Sequence, residues 1–226
     1  MEVKMNFYDR IMHEAAVERA ALYAVPLNMD SPQGRITRET YLAYLEQAYH
    51  HVKHALPLMM MMGSRLPKEK EWVRRILVDY IKEETGHDDW ILGDIKHAGG
   101  DVERVRNSKP SLPVELMNAF NYDNVTRGNP MSYFGMIVAL EGASTELATK
   151  AAEAMGKSMG LGKECFSYLL SHGDLDIEHV QFISKTLNQV TDAQDQADII
   201  HAAKVIYLLY ADMCRGIPHN YAKKAA

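Results

Sequence analysis

The segment from residue 172 to 179 carries two histidines and an aspartate at helical spacing. His172, Asp176 and His179 follow one another at intervals of four and three residues. In an α-helix this spacing puts the three side chains on one face. Neutral imidazole and carboxylate groups are ligand types that suit iron, manganese and zinc. The segment therefore predicts half of a metal site, offered by two turns of one helix.

Two other segments supply ligands of the same types. Glu84 and His87 are three residues apart, and they reproduce the Glu-x-x-His pattern by which carboxylate-bridged bundles hold two metal ions. Glu141 is a lone acid in a stretch, residues 136–143, that otherwise has the pattern of a buried helix. An ionised acid in such a place is costly without a partner, and a buried cation would offset that cost. Three carboxylates and three histidines together predict a dinuclear metal site.

Helical angle separates the two adjacent glutamates at positions 83 and 84. Successive residues step by about 100° around a helix, and on this projection Glu84 falls in the middle of an apolar stripe with His87 beside it. Glu83 falls at the edge of the stripe, so we prefer Glu84 as the ligand. Glu83, Asp88 and Glu178 are then hypotheses for side chains that orient the imidazoles.

Each ligand also has a structural interpretation. A single buried histidine or glutamate is usually a hydrogen-bonded core residue. Gly173 could end one helix so that Asp174 caps the next, and His172 and Asp176 would then not have to share a face. The coincidence of ligand types across three segments favours the metal site over these alternatives.

A further histidine cluster lies on the second helix that the sequence predicts. His50 and His54 face away from the apolar positions of this segment, so a solvated face is the leading interpretation. If the helix is covered on both sides, Glu46, His50 or His54 could complete the metal site. The same role is left open for Asp79 and Glu83.

Composition limits the classes of function. The 226 residues, 47% of them hydrophobic, suffice for one core, and we treat residues 1–226 as a single domain. A net charge of -5 gives no basic footprint for nucleic acid. Cys165 and Cys214 lie in apolar settings that suit packed thiols in a reducing compartment. No segment resembles a signal peptide or a membrane span, so we expect a cytoplasmic protein without membrane contact.

Helical periodicity extends along the chain, and no alternating strand pattern of convincing length occurs. The expected helices cover residues 6–24, 37–62, 68–97, 113–123, from after Pro130 to near Gly156, from the break at 160–162 to near Val190, and 192–214. Between them, a turn-rich connection is expected at 28–34 and a loop at 101–112. Thr37 and Gly63 are the expected N-cap and C-cap of the second helix. About seven helices without strands predict an all-α bundle.

With these residues located, the sequence resembles the haem-oxygenase-like superfamily of diiron oxidases and oxygenases, which is related in fold to thiaminase-II-like proteins and pyrroloquinoline-quinone synthase. The matching motifs are Glu84-Thr-Gly-His87, Glu141 and the triplet His172, Asp176, His179. In that superfamily the triplet has the form His-x-x-x-Asp-x-x-His. The resemblance covers nearly the whole chain, and around the first and last motifs it is similar to a group of bacterial iron-containing redox enzymes.

The resemblance implies a compact haem-oxygenase-like bundle, a pair of iron ions that activates dioxygen as co-substrate, and frequently a homodimer. It does not imply one substrate, because relatives act on fatty acids, amino acids, guanidines and their own tyrosine. Many relatives carry another glutamate at places that here hold His50, Asp79 or Tyr80. The carboxylate that bridges the two metal ions is therefore left open.

The sequence thus predicts a non-haem diiron oxidase or oxygenase that acts on a small organic substrate such as an amino acid, a fatty acid or a related metabolite. Six ligands with three carboxylates suit two redox-active ions better than one zinc ion. Glu84, Glu141 and Asp176 would shift between bridging and terminal modes, while the three histidines anchor the ions. Tyr80 and Tyr168 lie near the ligands on their helices and could hydrogen-bond to dioxygen, although a core role fits both equally. The alternative function is a metal- or haem-binding helical protein without turnover.

Overall fold

The computed structural model describes residues 5–219, and within this range it describes the side chains of all residues except 143–147 and 172–180. This part of the chain contains twelve α-helices, four short 3-10 helices and no strand, so the predicted all-α class is confirmed. The α-helices are α1 Phe7–Glu14, α2 Ala16–Tyr23, α3 Pro26–Asp30, α4 Arg38–Val52, α5 Ala55–Arg65, α6 Glu71–Glu84, α7 His87–His97, α8 Val102–Asn107, α9 Leu112–Thr126, α10 Tyr133–Met159, α11 Ser167–Leu187 and α12 Ala193–Gly216. The 3-10 helices are Ser31–Gln33, Lys68–Lys70, Pro130–Ser132 and Lys163–Cys165.

The three long helices expected in the first half of the chain are each interrupted. The first divides at Ala15 and the second at residues 53–54. The third divides at Gly86, whose φ of 95° lies in the left-handed region that favours glycine. Glu84 is therefore the last residue of α6 and His87 the first residue of α7. The expectation of one continuous helix through both residues is wrong.

Other helix boundaries differ from the expected ones because of the local sequence. The expected connection at 28–34 is largely helical, because Pro26 begins α3 with a preset φ. The expected loop at 101–112 contains α8, which Asp101 caps by accepting a hydrogen bond from the Arg104 amide at 2.9 Å. Gly63 lies inside α5 rather than at its C-cap. Thr37 is confirmed as the N-cap of α4.

The three helices of the second half lie close to their expected places. The left-handed Gly160, with a φ of 67°, ends α10. The α-helix α11 runs without a break from Ser167 to Leu187. Gly173 therefore does not end a helix, and the alternative with Asp174 as an N-cap is wrong. The backbone between residues 172 and 179 keeps the helical spacing on which the metal prediction depends.

The long helix α10 is central to the packing, because α11 and α12 both lie along it. Its first turns follow the 3-10 helix 130–132, which contacts α5, and its second half contacts the 3-10 helix 31–33 just before α4. Gly34 fixes this second contact, since a Cβ there would lie 2.6 Å from the Ala154 carbonyl oxygen. The pair α4–α5 and α10 consequently run in opposite directions. No helix within the described residues is long and apolar enough to cross a membrane.

Candidate metal centre

Glu84 and His87 meet across the junction of α6 and α7. Glu84 Oε2 lies 2.9 Å from His87 Nδ1, and 9% and 3% of the two side chains are exposed. The His87 ring stacks on Trp90 with 4.4 Å between ring centroids. Glu84 Oε1 is buried and has no hydrogen-bond partner within the described part of the chain. Glu83 is exposed, so Glu84 is the glutamate that reaches the interior.

Glu141 approaches the same region from α10. Only 8% of this residue is exposed, and the Tyr80 hydroxyl donates a hydrogen bond to Glu141 Oε1 at 2.7 Å. Burial, followed by the charges of Glu141 and Glu84, raises the pKa of Tyr80 well above its ordinary value. Burial and the charge of Glu84 likewise raise the pKa of Tyr133. Both phenols therefore stay protonated beside the two carboxylates.

The two carboxylates line one cavity with a volume of about 140 Å³. The described residues around it include no lysine and no arginine. Buried acids without a cation are costly, whereas a metal ion would neutralise them and accept their oxygens as ligands. The carboxylates of Glu84 and Glu141, with the imidazole of His87 next to Glu84, are therefore ligand types that suit a metal ion.

The described side chains do not form a complete metal site by themselves. Within them, no group of three or more histidine, cysteine, aspartate or glutamate side chains is arranged to hold a metal ion. The predicted ligands His172, Asp176 and His179 lie outside the described side chains. Their helix α11 packs along α10, which carries Glu141, and against α7, which carries His87. The completion of the site by this triplet stays a prediction.

The other acids and histidines considered as ligands are bonded away from the cavity. His50 is fully buried, and its Nε2 lies 2.8 Å from Ser108 Oγ. The expected solvated face is wrong for His50, because the segment after α8 covers this side of α4. His54 Nδ1 lies 3.0 Å from the Tyr122 hydroxyl, and Glu46 forms a 2.6 Å salt bridge with an arginine of α8. Asp79 and Glu83, which were also considered, are exposed.

Residues 42–211 of the chain match the family described as iron-containing redox enzymes. The chain belongs to this family. A curated relative, the 4-aminobenzoate synthase of Chlamydia muridarum, is 20% identical over 210 residues, which cover 91% of this chain and 87% of the relative. Membership identifies an iron-containing oxidoreductase and confirms the family resemblance noted in the sequence.

Solved structures place the fold of this iron-containing redox enzyme among haem-oxygenase-like proteins. A domain of unknown function with a heme oxygenase-like fold from Shewanella denitrificans has a TM-score of 0.81 at 22% identity, covering 95% of this chain and 92% of that chain. A TenA homologue from Pseudomonas syringae has a TM-score of 0.75 at 14% identity, covering 91% of each chain. Heme oxygenase-1 from Synechocystis, in complex with heme, has a TM-score of 0.73 at 11% identity, covering 93% of this chain and 91% of that chain. At these low sequence identities, the similarity shows a shared fold and nothing about function.

Asp94, which the sequence did not reveal, attaches α11 of the redox enzyme to the helix that carries His87. The two carboxylate oxygens of the fully buried Asp94 each accept a hydrogen bond at 2.9 Å, from the amides of Ser167 and Tyr168. These amides begin α11 and have no partner inside that helix. Burial raises the pKa of Asp94, and the hydrogen bonds oppose this shift. The cap escaped the sequence analysis because donor and acceptor are 73 residues apart.

A set of aromatic side chains surrounds the cavity of the redox enzyme. Among the described residues, six tyrosines line it, namely Tyr41, Tyr44, Tyr80, Tyr133, Tyr168 and Tyr210. Tyr80 and Tyr168, which the sequence singled out, are thus both cavity residues as well as buried ones. His51 also lines the cavity, whereas the sequence analysis named its neighbours His50 and His54 as alternative ligands and did not single out His51. Tyr44 and His51 are seven residues apart on α4, and this spacing along one face is the signal that could have distinguished His51.

Proposed function

We propose that this iron-containing redox enzyme is a non-haem diiron oxidase or oxygenase that uses dioxygen to oxidise a small organic substrate. The observation that carries the proposal is the presence of two buried carboxylates, Glu84 and Glu141, on a cavity whose described lining has no lysine or arginine. The chlamydial relative is named as a synthase, which supports an enzyme rather than a protein that stores metal. An amino acid, a fatty acid or a related metabolite is the proposed kind of substrate.

The proposed ligands are the six residues singled out by type and spacing, namely Glu84, His87, Glu141, His172, Asp176 and His179. Support comes from Glu84 and Glu141, which line one cavity, from the contact of His87 with Glu84, and from the unbroken helix that carries the last three. Three carboxylates against two dications leave a net charge of +1, which favours an anionic group at the site. Two ferrous ions bound there would supply electrons for the reduction of dioxygen.

The surrounding side chains orient the ligands. Tyr80 holds its proton on the hydrogen bond to Glu141 Oε1, which fixes the direction of this carboxylate. Trp90 stacks on His87 and limits the rotation of its ring. Asp94 fixes the start of α11 against α7. Such supporting contacts set ligand geometry before a metal ion binds.

The proposal is tested by anaerobic reconstitution with ferrous iron, followed by metal analysis and measurement of oxygen consumption on exposure to air. We expect about two iron ions per chain, as in carboxylate-bridged bundles. Asp176→Ala should remove oxygen consumption, because it deletes one of the three carboxylates. His97→Ala is the matched control, since His97 is exposed on the helix that begins with His87. Unchanged oxygen consumption in Asp176→Ala, or full activity with zinc alone, would contradict the proposal.

A further inference from the structure

The cavity has a second polar region, made by two tyrosines on different helices. Tyr44 of α4 and Tyr210 of α12 both line the cavity, and their hydroxyl oxygens lie 3.1 Å apart. The ring of His51 meets the ring of Tyr210 edge-on, with 5.8 Å between centroids and an interplanar angle of 88°. We call Tyr44 and Tyr210 the hydroxyl end of the cavity. We call Tyr80, Glu84 and Glu141 its acidic end.

The two ends have different electrostatic surroundings. The pKa of Tyr80 responds to the charges of Glu141 and Glu84 after burial. Burial raises the pKa of Tyr44 to about 12, while the hydrogen bond with Tyr210 lowers it. The pKa of Tyr210 is raised by burial and by Tyr44, Cys214 and Tyr168, and no carboxylate contributes to either shift. The hydroxyl end is therefore an uncharged pair of phenols.

A count of protons shows what this pair can bind. Two phenols carry two hydroxyl protons, and the bond between Tyr44 and Tyr210 uses one of them. The other proton can be donated to a third group, and the phenol oxygens can accept hydrogen bonds from it. A carboxylate would need a positive partner in such a buried place, and the described lining of the cavity has no lysine or arginine. An uncharged amide, alcohol or carbonyl can accept the free phenol proton, and the amide and the alcohol can also donate to a phenol oxygen.

The rest of the described lining of the cavity is mostly apolar. It includes Leu22, Leu27, Val52, Met59, Ile137 and Leu140. Such a wall suits an apolar molecular body, while the few polar groups fix its orientation. A molecule held at one end by the phenols would thus extend along this wall to the carboxylates.

We propose that the hydroxyl end binds an uncharged hydrogen-bonding group of the substrate, and that the apolar body of the same molecule extends to the acidic end. The substrate class is then a mainly apolar molecule with an amide, alcohol or carbonyl group remote from the carbon that is oxidised, which narrows the proposed substrates to an uncharged metabolite related to a fatty acid. That the bound molecule is a substrate rests on the proposed function. The binding itself requires no turnover.

The test uses isothermal titration calorimetry with three probes of equal chain length: octanamide, 1-octanol and octanoate. Each is titrated into iron-free protein and into protein loaded anaerobically with ferrous iron. Tyr210→Phe should weaken octanamide binding by about three- to tenfold, the usual effect of losing one uncharged hydrogen bond. Tyr41→Phe is the matched control. It removes another phenol of the cavity wall, but one that donates to the Cys165 carbonyl oxygen at 2.7 Å.

Tyr44→Phe provides a second variant of the pair if Tyr210→Phe does not fold, as judged by circular dichroism and thermal melting. Equal octanamide affinity in the wild type and both variants of the pair would overturn the inference. Absence of binding by both uncharged probes, or tighter binding of octanoate than octanamide to iron-free protein, would also overturn it. Failure of the protein to take up iron, with octanamide binding still dependent on Tyr210, would instead reject the proposed function and retain the binding site.

Discussion

The acidic end and the hydroxyl end of the cavity use the same side chain in different ways. At the acidic end, Tyr80 donates its hydrogen bond to the carboxylate of Glu141. At the hydroxyl end, Tyr44 and Tyr210 bond to each other. A phenol that donates to a carboxylate stabilises its negative charge and fixes its orientation. Such a site suits a cation as its ligand. Two phenols that bond to each other make an uncharged site, which calls for an uncharged ligand.

The largest expected effect is on iron affinity, which should depend on the acidic end of the cavity and not on the hydroxyl end. Glu141→Ala removes a proposed ligand at the acidic end, so we expect iron affinity to fall by more than about 100-fold, beyond the usual loss for a supporting residue. Tyr210→Phe at the hydroxyl end should leave iron affinity unchanged. Anaerobic equilibrium dialysis with ferrous iron measures both. Iron binding by Glu141→Ala at the wild-type level would mean that Glu141 is only a structural acid.

Metal binding at the acidic end should raise the free energy of unfolding of the protein. A metal ion that binds only the folded state at 100 times its dissociation constant adds about 2.7 kcal/mol to the free energy of unfolding. We expect this gain in the wild type and its loss in Glu84→Ala. Chemical denaturation with and without manganese, a redox-stable substitute, measures the difference. The idea fails if Glu84→Ala gains as much stability from the metal as the wild type.

Tyr80→Phe tests the orienting hydrogen bond alone. Loss of a partner that orients a ligand typically costs about 10- to 100-fold in metal affinity or activity. We expect a loss in this range for Tyr80→Phe and none for Tyr44→Phe, whose hydroxyl bonds to Tyr210. The comparison is made by iron titration of both variants. Equal iron affinities in the two would show that the acidic end does not depend on its phenol.

The smallest effect concerns the helix that unites the proposed site. Asp94→Ala removes the cap at the start of α11 and should destabilise the fold by about 1–2 kcal/mol. Asp192→Ala removes a local cap on α12, where the exposed Asp192 accepts from the Asp195 amide at 2.9 Å. Urea denaturation should show that both variants are destabilised, whereas only Asp94→Ala should reduce iron uptake. Equal iron uptake by the two variants would exclude a positioning role for Asp94.

The sequence was most informative where chemistry and helical periodicity coincide. Glu141 stands out because an acid in an apolar stretch is unusual, and the structure buries it at the cavity. Glu84 could be chosen over Glu83 although the helix breaks at Gly86, since both glutamates precede that break. The burial of His50 and the capping role of Asp94 both depend on contacts with segments that are distant in the chain. Local patterns do not contain that information.

The most direct test of the account is the position of iron in a crystal soaked anaerobically with ferrous ions, located by anomalous scattering at the iron edge. The account predicts iron at the acidic end, within a coordination distance of about 2 Å from the carboxylates of Glu84 and Glu141. It also predicts that His172, Asp176 and His179 complete the ligand set. Iron located beside Tyr44 and Tyr210, or bound only at the protein surface, would contradict the account.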